Sequence, residues 1–291
     1  MPVDSDNEQI YHIRTHANGP QDQLPLDAEY LRTVSSGDLF GLTEDAGMGW
    51  PANMLRNPEY LILATVGGQR AVDGYPVALG YHTGHWETDV LIKTAAQTFT
   101  SRQCIPFAGL LSDPCDGRTQ GTPGMMDSLP FRNDAAIIFR RLIRSLPTRR
   151  GVLGIATCDK GLPALLMALA AQHDLPCVFV PGGVTLPPTD GEDAGKVQTL
   201  SVRYALGEIS LEQASVLGCR ACASPGGGCQ FLGTAATGQV VGEALGMALL
   251  HSALAPSGQP VWLDNARRSA HALMNLSHSR VTTQDIITTD A

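Results

Sequence analysis

Three short stretches of the chain place a thiol among residues that let backbone approach closely. The first is Pro114-Cys115-Asp116-Gly117, which runs through Gly121 and Gly124 to Ser128-Leu129-Pro130. The second is Cys158-Asp159-Lys160-Gly161 with Pro163 close behind, and the third is Gly226-Gly227-Gly228-Cys229 leading to Gly233. In the first two an aspartate directly follows the thiol. Soft thiolates take iron–sulfur clusters, zinc or copper(I), whereas hard carboxylates take magnesium, calcium or manganese. A Cys-Asp dipeptide in a loop can send its two side chains to different neighbours. Two such dipeptides facing each other can therefore hold a soft and a hard metal side by side. The glycines before Cys229 let that thiol reach a cluster without steric conflict.

Each of these signals has an ordinary reading when taken alone. Cysteines are often plain buried hydrophobes. Asp116-Gly117 reads as a turn, Lys160 as a solvated surface lysine, and the triple glycine as a flexible loop. Cys219 and Cys222 have the spacing of half a zinc site, but no matching second half is evident.

The elements around the stretches predict where they sit. Residues 1–58 show little periodicity and read as an irregular arm with one short helix; residues 59–291 read as a second, α/β region. Tyr60 to Val66, Ile105 to Leu111, Gly151 to Ala156 and Pro176 to Val180 are short apolar runs closed by Gly, Pro or polar loops, which is the pattern of buried strands. Val77 to Gly80 is a candidate fifth. Helical spacing covers Thr88 to Thr100 (with Thr88 as N-cap), Asn133 to Leu146, Pro163 to Gln172, one or two segments in 196–217, Gly233 to Leu250, and 262–278. Continuous apolar strands alternating with helices predict a parallel sheet flanked by helices. Ligand sites in such sheets lie beyond the carboxyl ends of the strands. The loop 112–124 and the turn at Cys158 both fall there.

Composition bounds the partners. Hydrophobic residues make up 43% of the 291 and charged residues 16%, which predicts a folded globular chain and not a disordered one. A formal net charge of −8 argues against nucleic acid or an anionic membrane as partner. No apolar run approaches the ~18 residues of a membrane span. The polar start lacks the apolar core of a signal peptide, so a cytoplasmic location is expected. In a reducing compartment the seven cysteines should be thiols or metal ligands.

In their order and spacing, the segments DGRTQGTPGMMDSLPFR (116–132), CDKGLPALLMALA (158–170), VFVPGG (178–183) and GGGCQFLGTAATGQVVGEALGMAL (226–249) resemble the dehydratase family of dihydroxy-acid and 6-phosphogluconate dehydratases. The likeness extends over roughly residues 60–290 and is greatest to the pentonate, or xylonate, branch. It implies a hydro-lyase that takes water from a 2,3-dihydroxy sugar acid to give a 2-keto acid. By position, the resemblance implies Cys158 and Cys229 as ligands of an iron–sulfur cluster. It implies Asp116, Asp159 and Lys160 as Mg2+ ligands, with Lys160 carbamylated and catalytic.

The chain also departs from the family pattern. Where members with a [2Fe–2S] cluster carry a further cysteine, this chain reads Thr83-Gly84-His85-Trp86. Either Cys115 replaces it, or His85 contributes, or the cluster is a [4Fe–4S] type with an open iron; Cys115 with a [4Fe–4S] cluster is the expectation, with [2Fe–2S] the alternative. Family members are longer, and their last Mg2+ carboxylate and base serine lie further on. The chain is thus expected to lack the family's C-terminal barrel and to be inactive by itself, with the full-length form a homo-oligomer. Two other readings stand beside this one: an inactive remnant of the same family, and a structural zinc module built on Cys219, Cys222 and Cys229.

Overall fold

The computed structural model describes residues 12–82, 87–224, 226–229 and 232–288. The chain divides between Asn57 and Pro58 into two compact units. In the first unit, α1 (Ala28–Thr33) and α2 (Ser36–Gly47) each begin on a side-chain cap. Asp27 accepts from the Tyr30 N–H and Ser35 from the Asp38 N–H, so each satisfies one of the open donors of a helix start. The stretch expected to hold one short helix therefore holds two.

The second unit is built on β1 (Glu59–Thr65), which a two-stranded ribbon of β2 (Gln69–Arg70) and β3 (Pro76–Ala78) follows. Next come α3 (Thr88–Ser101), β4 (Ile105–Leu111), the single turn α4 (Asp116–Thr119) and α5 (Ser128–Ser145). Then β5 (Arg149–Ala156), α6 (Gly161–Ala170) and β6 (Cys177–Pro181) form a strand–helix–strand unit. The chain continues through α7 (Ala194–Val197), α8 (Leu200–Ala205), α9 (Leu211–Arg220), α10 (Thr237–Ala244), α11 (Pro260–Ser279) and α12 (Thr283–Ile286).

Strands pair in the order β4-β1-β5-β6, and every neighbour is parallel. Alternation along β1 splits the core in two. Tyr60, Ile62 and Ala64 face a cluster with Leu91 and Phe99 of α3 and Trp262 and Leu273 of α11. Leu61 and Leu63 face the other, with Phe139 and Ile143 of α5 and Leu165 and Leu169 of α6. Each fully buried side chain of this size contributes about 1.5–3 kcal/mol. The chain leaves β1 for β4 on one side and then crosses back to β5 on the other. The carboxyl ends of β1 and β5 thus flank a topological switch point, where such sheets open a crevice.

Three local readings are corrected. Thr88 does not cap α3; its hydroxyl donates to the Thr65 carbonyl at 2.7 Å and ties the helix start to the end of β1. Helix α5 starts at Ser128, five residues before Asn133, because Pro130 falls in the first turn, where no N–H is needed. The helix expected over 233–250 is a π-helical turn (Leu232–Ala236) followed by α10, which stops at Ala244, ahead of Gly246 in the left-handed region.

Candidate active site

Beyond the ends of β1, β4, β5 and β6 lies a cavity of about 460 Å³ whose wall includes Cys115, Asp116, Cys158, Asp159 and Cys229. The three thiol-bearing stretches, far apart in sequence, come together here. Cys222 reaches the same wall, and Cys219 is exposed. His85 lies outside the described residues.

Each stretch is held in place by a local device. The chain leaves β5 through Thr157 into Cys158, whose φ of 62° is left-handed. A residue with a Cβ adopts that conformation only at a cost of about 1–3 kcal/mol, which the surroundings must impose. Helix α6 follows at once, and Lys160 stands at its N-cap position. Asp113, buried at the end of β4, accepts from the Gly161 N–H at 3.1 Å and so anchors that helix start. The Gly-rich loop extends the sheet past β6: the Gly228 N–H donates to the Gly183 carbonyl and the Thr185 N–H to the Gly228 carbonyl, both at 2.8 Å. The Gln239 amide also donates to the Gly183 carbonyl, at 2.9 Å. A methyl group at Gly228 would sit 2.2 Å from Thr157 Oγ1, so only glycine lets the Cys229 loop lie this close to the Cys158 turn.

At the hard end, the Lys160 ammonium lies 2.6 Å from both Asp116 Oδ2 and Asp159 Oδ2. Ser128, at the start of α5, donates to the other Asp116 oxygen at 2.6 Å and fixes that carboxylate's orientation. Burial favours the neutral form of all three groups. At Asp116 the hydrogen bonds from Lys160 and Ser128 outweigh burial and hold the carboxyl below its usual range. At Asp159 burial wins and the carboxyl is pushed up. At Lys160 the two carboxylates outweigh burial and keep the ammonium charged. Two oxygens about a cation is the start of a hard-metal seat. Among the described residues no three His, Cys, Asp or Glu side chains stand close enough together to hold one metal ion: at this end the third member is an amine, and the three thiols share the cavity wall without closing on one point.

At the soft end, burial pushes the Cys158 thiol well above its ordinary value, and the charge of Asp113 adds to this. The backbone N–H of Cys229 opposes the shift by hydrogen bonding to that sulfur. His82, only 9% exposed, places Nδ1 3.4 Å from Cys158 Sγ, while its Nε2 lies 2.9 Å from the Pro114 carbonyl. Sequence reasoning did not find His82 or Asp113, and it named Ser128 only as the far end of the first thiol stretch, without a role. The one available signal for Asp113 was proximity, since it directly precedes that stretch. Cys177 lies away from the cavity, buried in β6, and its thiol is pushed up to about 11 by burial.

The sequence pattern described as dihydroxy-acid/6-phosphogluconate dehydratase N-terminal matches residues 77–291. Two curated relatives from Escherichia coli K12 align over 98% of the chain, the D-xylonate dehydratases YagF at 64% identity and YjhG at 58%. The phosphogluconate dehydratase of Zymomonas mobilis is 33% identical over 70% of the chain. The chain spans 44% of the length of each Escherichia coli relative.

Proposed function

The chain belongs to the dihydroxy-acid/6-phosphogluconate dehydratase family, and on that footing we propose that it is the cofactor-holding part of a hydro-lyase that dehydrates a xylonate-like sugar acid to a 2-keto-3-deoxy acid. The observation that carries this reading is the meeting of three thiols and a carboxylate–lysine cluster on one cavity at the switch point of a parallel sheet.

The donor set fits two different groups. Cys158, Cys229 and Cys115 are assigned to an iron–sulfur cluster, [4Fe–4S] or [2Fe–2S], which is wide enough to take ligands from across the cavity. Asp116, Asp159 and Lys160 are assigned to Mg2+; Lys160 would supply an oxygen after its ammonium gives up a proton and the free amine adds CO2 with loss of a second proton, leaving a carbamate. When bound, these groups supply Lewis acidity toward a leaving hydroxyl and a substrate carboxylate. The chain's own residues do the rest. Ser128 keeps Asp116 aimed at the cation seat. Asp113 fixes the start of α6, and with it Lys160. Arg118 reaches the cavity with its Nε tied to the Tyr81 carbonyl at 2.6 Å, and its cationic end suits an anionic substrate.

Among the described residues no helix is long and apolar enough to cross a membrane. The reading carries with it a cytoplasmic, homo-oligomeric enzyme acting on a small sugar acid. The test is an anaerobic assay of the full reading frame with Mg2+, following 2-keto acid formation from D-xylonate and D-gluconate. Turnover of xylonate that Asp159→Asn abolishes is expected. Absence of keto acid from either substrate in an iron-replete preparation overturns the assignment.

A further inference from the structure

A second cavity, of about 390 Å³, is lined by Arg102, His271, Met274 and Asn275. Arg102 is the C-cap of α3, just before β4 begins, and Leu273 of α11 packs over Gly151 near the start of β5. The cavity therefore opens at the amino-terminal ends of the strands, at the other end of the sheet from the thiols and carboxylates. The end of α3 is closed on itself: the Gln103 N–H donates to the Thr100 carbonyl and the Cys104 N–H to the Phe99 carbonyl, both at 3.0 Å. This closure holds Gln103 in the left-handed region, with a φ of 58°, where a helix end usually places glycine. It pins the backbone of Arg102 and occupies helix-end carbonyls that would otherwise repel an anion.

The charges around this cavity are positive. Among the described residues Arg102 has no carboxylate partner. Arg267, one turn before His271, is paired with Asp264, which partly offsets its charge. Burial holds the His271 imidazole below its ordinary value of 6.5, and the charges of Arg102 and Arg267 add to this. Both guanidiniums thus act on the imidazole, one from α3 and one from α11. The whole chain carries a formal net charge of −8, so a cationic cavity is not the by-product of a basic surface. An arginine fork grips a carboxylate or phosphate through paired N–H groups, and the imidazole and the Asn275 amide can add further donors. Met274, whose sulfur lies 3.9 Å from the buried Cys104 thiol, closes the cavity with an apolar wall.

We propose that this cavity binds a small phosphate dianion, free or as the head of a small ester, held by Arg102, His271 and Asn275. A dianion suits it better than a carboxylate, because Arg102 and a protonated His271 together balance two charges. Neither the cluster nor Mg2+ is needed for it.

The test follows the imidazole signals of the histidine-labelled chain by nuclear magnetic resonance while inorganic phosphate, glycerol phosphate or acetate is added at constant ionic strength. The His271 signal, identified by its loss in His271→Gln, should move saturably with phosphate and far less with acetate. Arg102→Gln should weaken phosphate binding at least about tenfold, because a hydrogen bond between charged groups is lost. Arg102→Lys, which keeps the charge and loses the fork, should fall between the two and serves if Arg102→Gln does not fold. A response to glycerol phosphate, with or without one to phosphate, assigns the site to phosphate esters; a response to phosphate alone assigns it to the free ion. A His271 signal that ignores both phosphates, moves equally with acetate, or moves unchanged in Arg102→Gln overturns the proposal. So does a response confined to His82, which would place the anion in the active-site cavity.

Discussion

Replacing Gly228 by alanine tests whether close approach of two loops builds the soft end of the site. The new Cβ would lie 2.2 Å from Thr157 Oγ1 and 3.2 Å from the Ala235 Cβ, where ordinary contact begins at 3.4 Å. Neighbours must therefore separate by about 1.2 Å at the hydroxyl. Thr157 sits in the turn that carries Cys158, and Gly228 precedes Cys229, so the separation falls between two assigned cluster ligands. A displacement near 1 Å is large beside metal–sulfur bonds of about 2.3 Å. Overpacking of this kind costs about 1–3 kcal/mol. Weakening the hydrogen bonds of Gly228 with Gly183 and Thr185 adds about 0.5–1.5 kcal/mol each. The fold should survive a perturbation confined to one rim of the sheet, while cluster retention should not. The assay is iron and sulfide per chain after anaerobic reconstitution, with circular dichroism as the folding control. Gly228→Ala should retain a small fraction of the wild-type iron. Adding Thr157→Ala removes the hydroxyl it strikes and should restore most of it. A folded Gly228→Ala chain that loads iron like wild type would refute the reasoning.

Ser128→Ala should weaken Mg2+ binding by about 10–100-fold, the usual effect of losing a group that orients a metal ligand, with iron content unchanged; calorimetric titration reads it. Cys177→Ala should leave iron unchanged and cost about 1 kcal/mol of stability, because that thiol is buried in the sheet away from the cavity; urea unfolding with iron analysis checks both. The Glu243 carboxylate accepts from the backbone N–H groups of Ala253, His251 and Ser252, which hold it below its ordinary value of 4.5. Its contribution is complete above pH 4.5 and is lost as pH falls through the lower folded value. Glu243→Gln should therefore be less stable than wild type by about 1 kcal/mol at pH 7, and the gap should close in acid, as measured by urea unfolding across pH.

What the sequence revealed follows from how each contact is made. Strands β1, β5 and β6 were legible because they are almost wholly buried and read as unbroken apolar runs, as in Cys177 to Pro181, and β4 was legible from its apolar run although Ala108 and Leu110 are exposed. Helices α3 and α11 were legible from their one-sided apolar spacing. Short helices in polar sequence were harder, because α1 and α2 are announced mainly by Asp27 and Ser35 at their caps. At the site, the thiols and carboxylates stood out because glycines surround them. His82 did not, because its link to Cys158 spans 76 residues and exists only once β5 has paired with β1. Thr88 misled for the same reason: its hydroxyl serves the end of a strand 23 residues earlier and not its own helix.

The central claim is that Cys158 and Cys229 meet across one cavity to hold iron and sulfide. It is tested most directly by metal and sulfide analysis, with visible absorption, of the anaerobically prepared chain beside Cys158→Ser. The account predicts a brown wild-type protein with iron and acid-labile sulfide in matching amounts, and a folded, colourless Cys158→Ser chain. A colourless wild type containing zinc, or a Cys158→Ser chain with wild-type iron and colour, would contradict it.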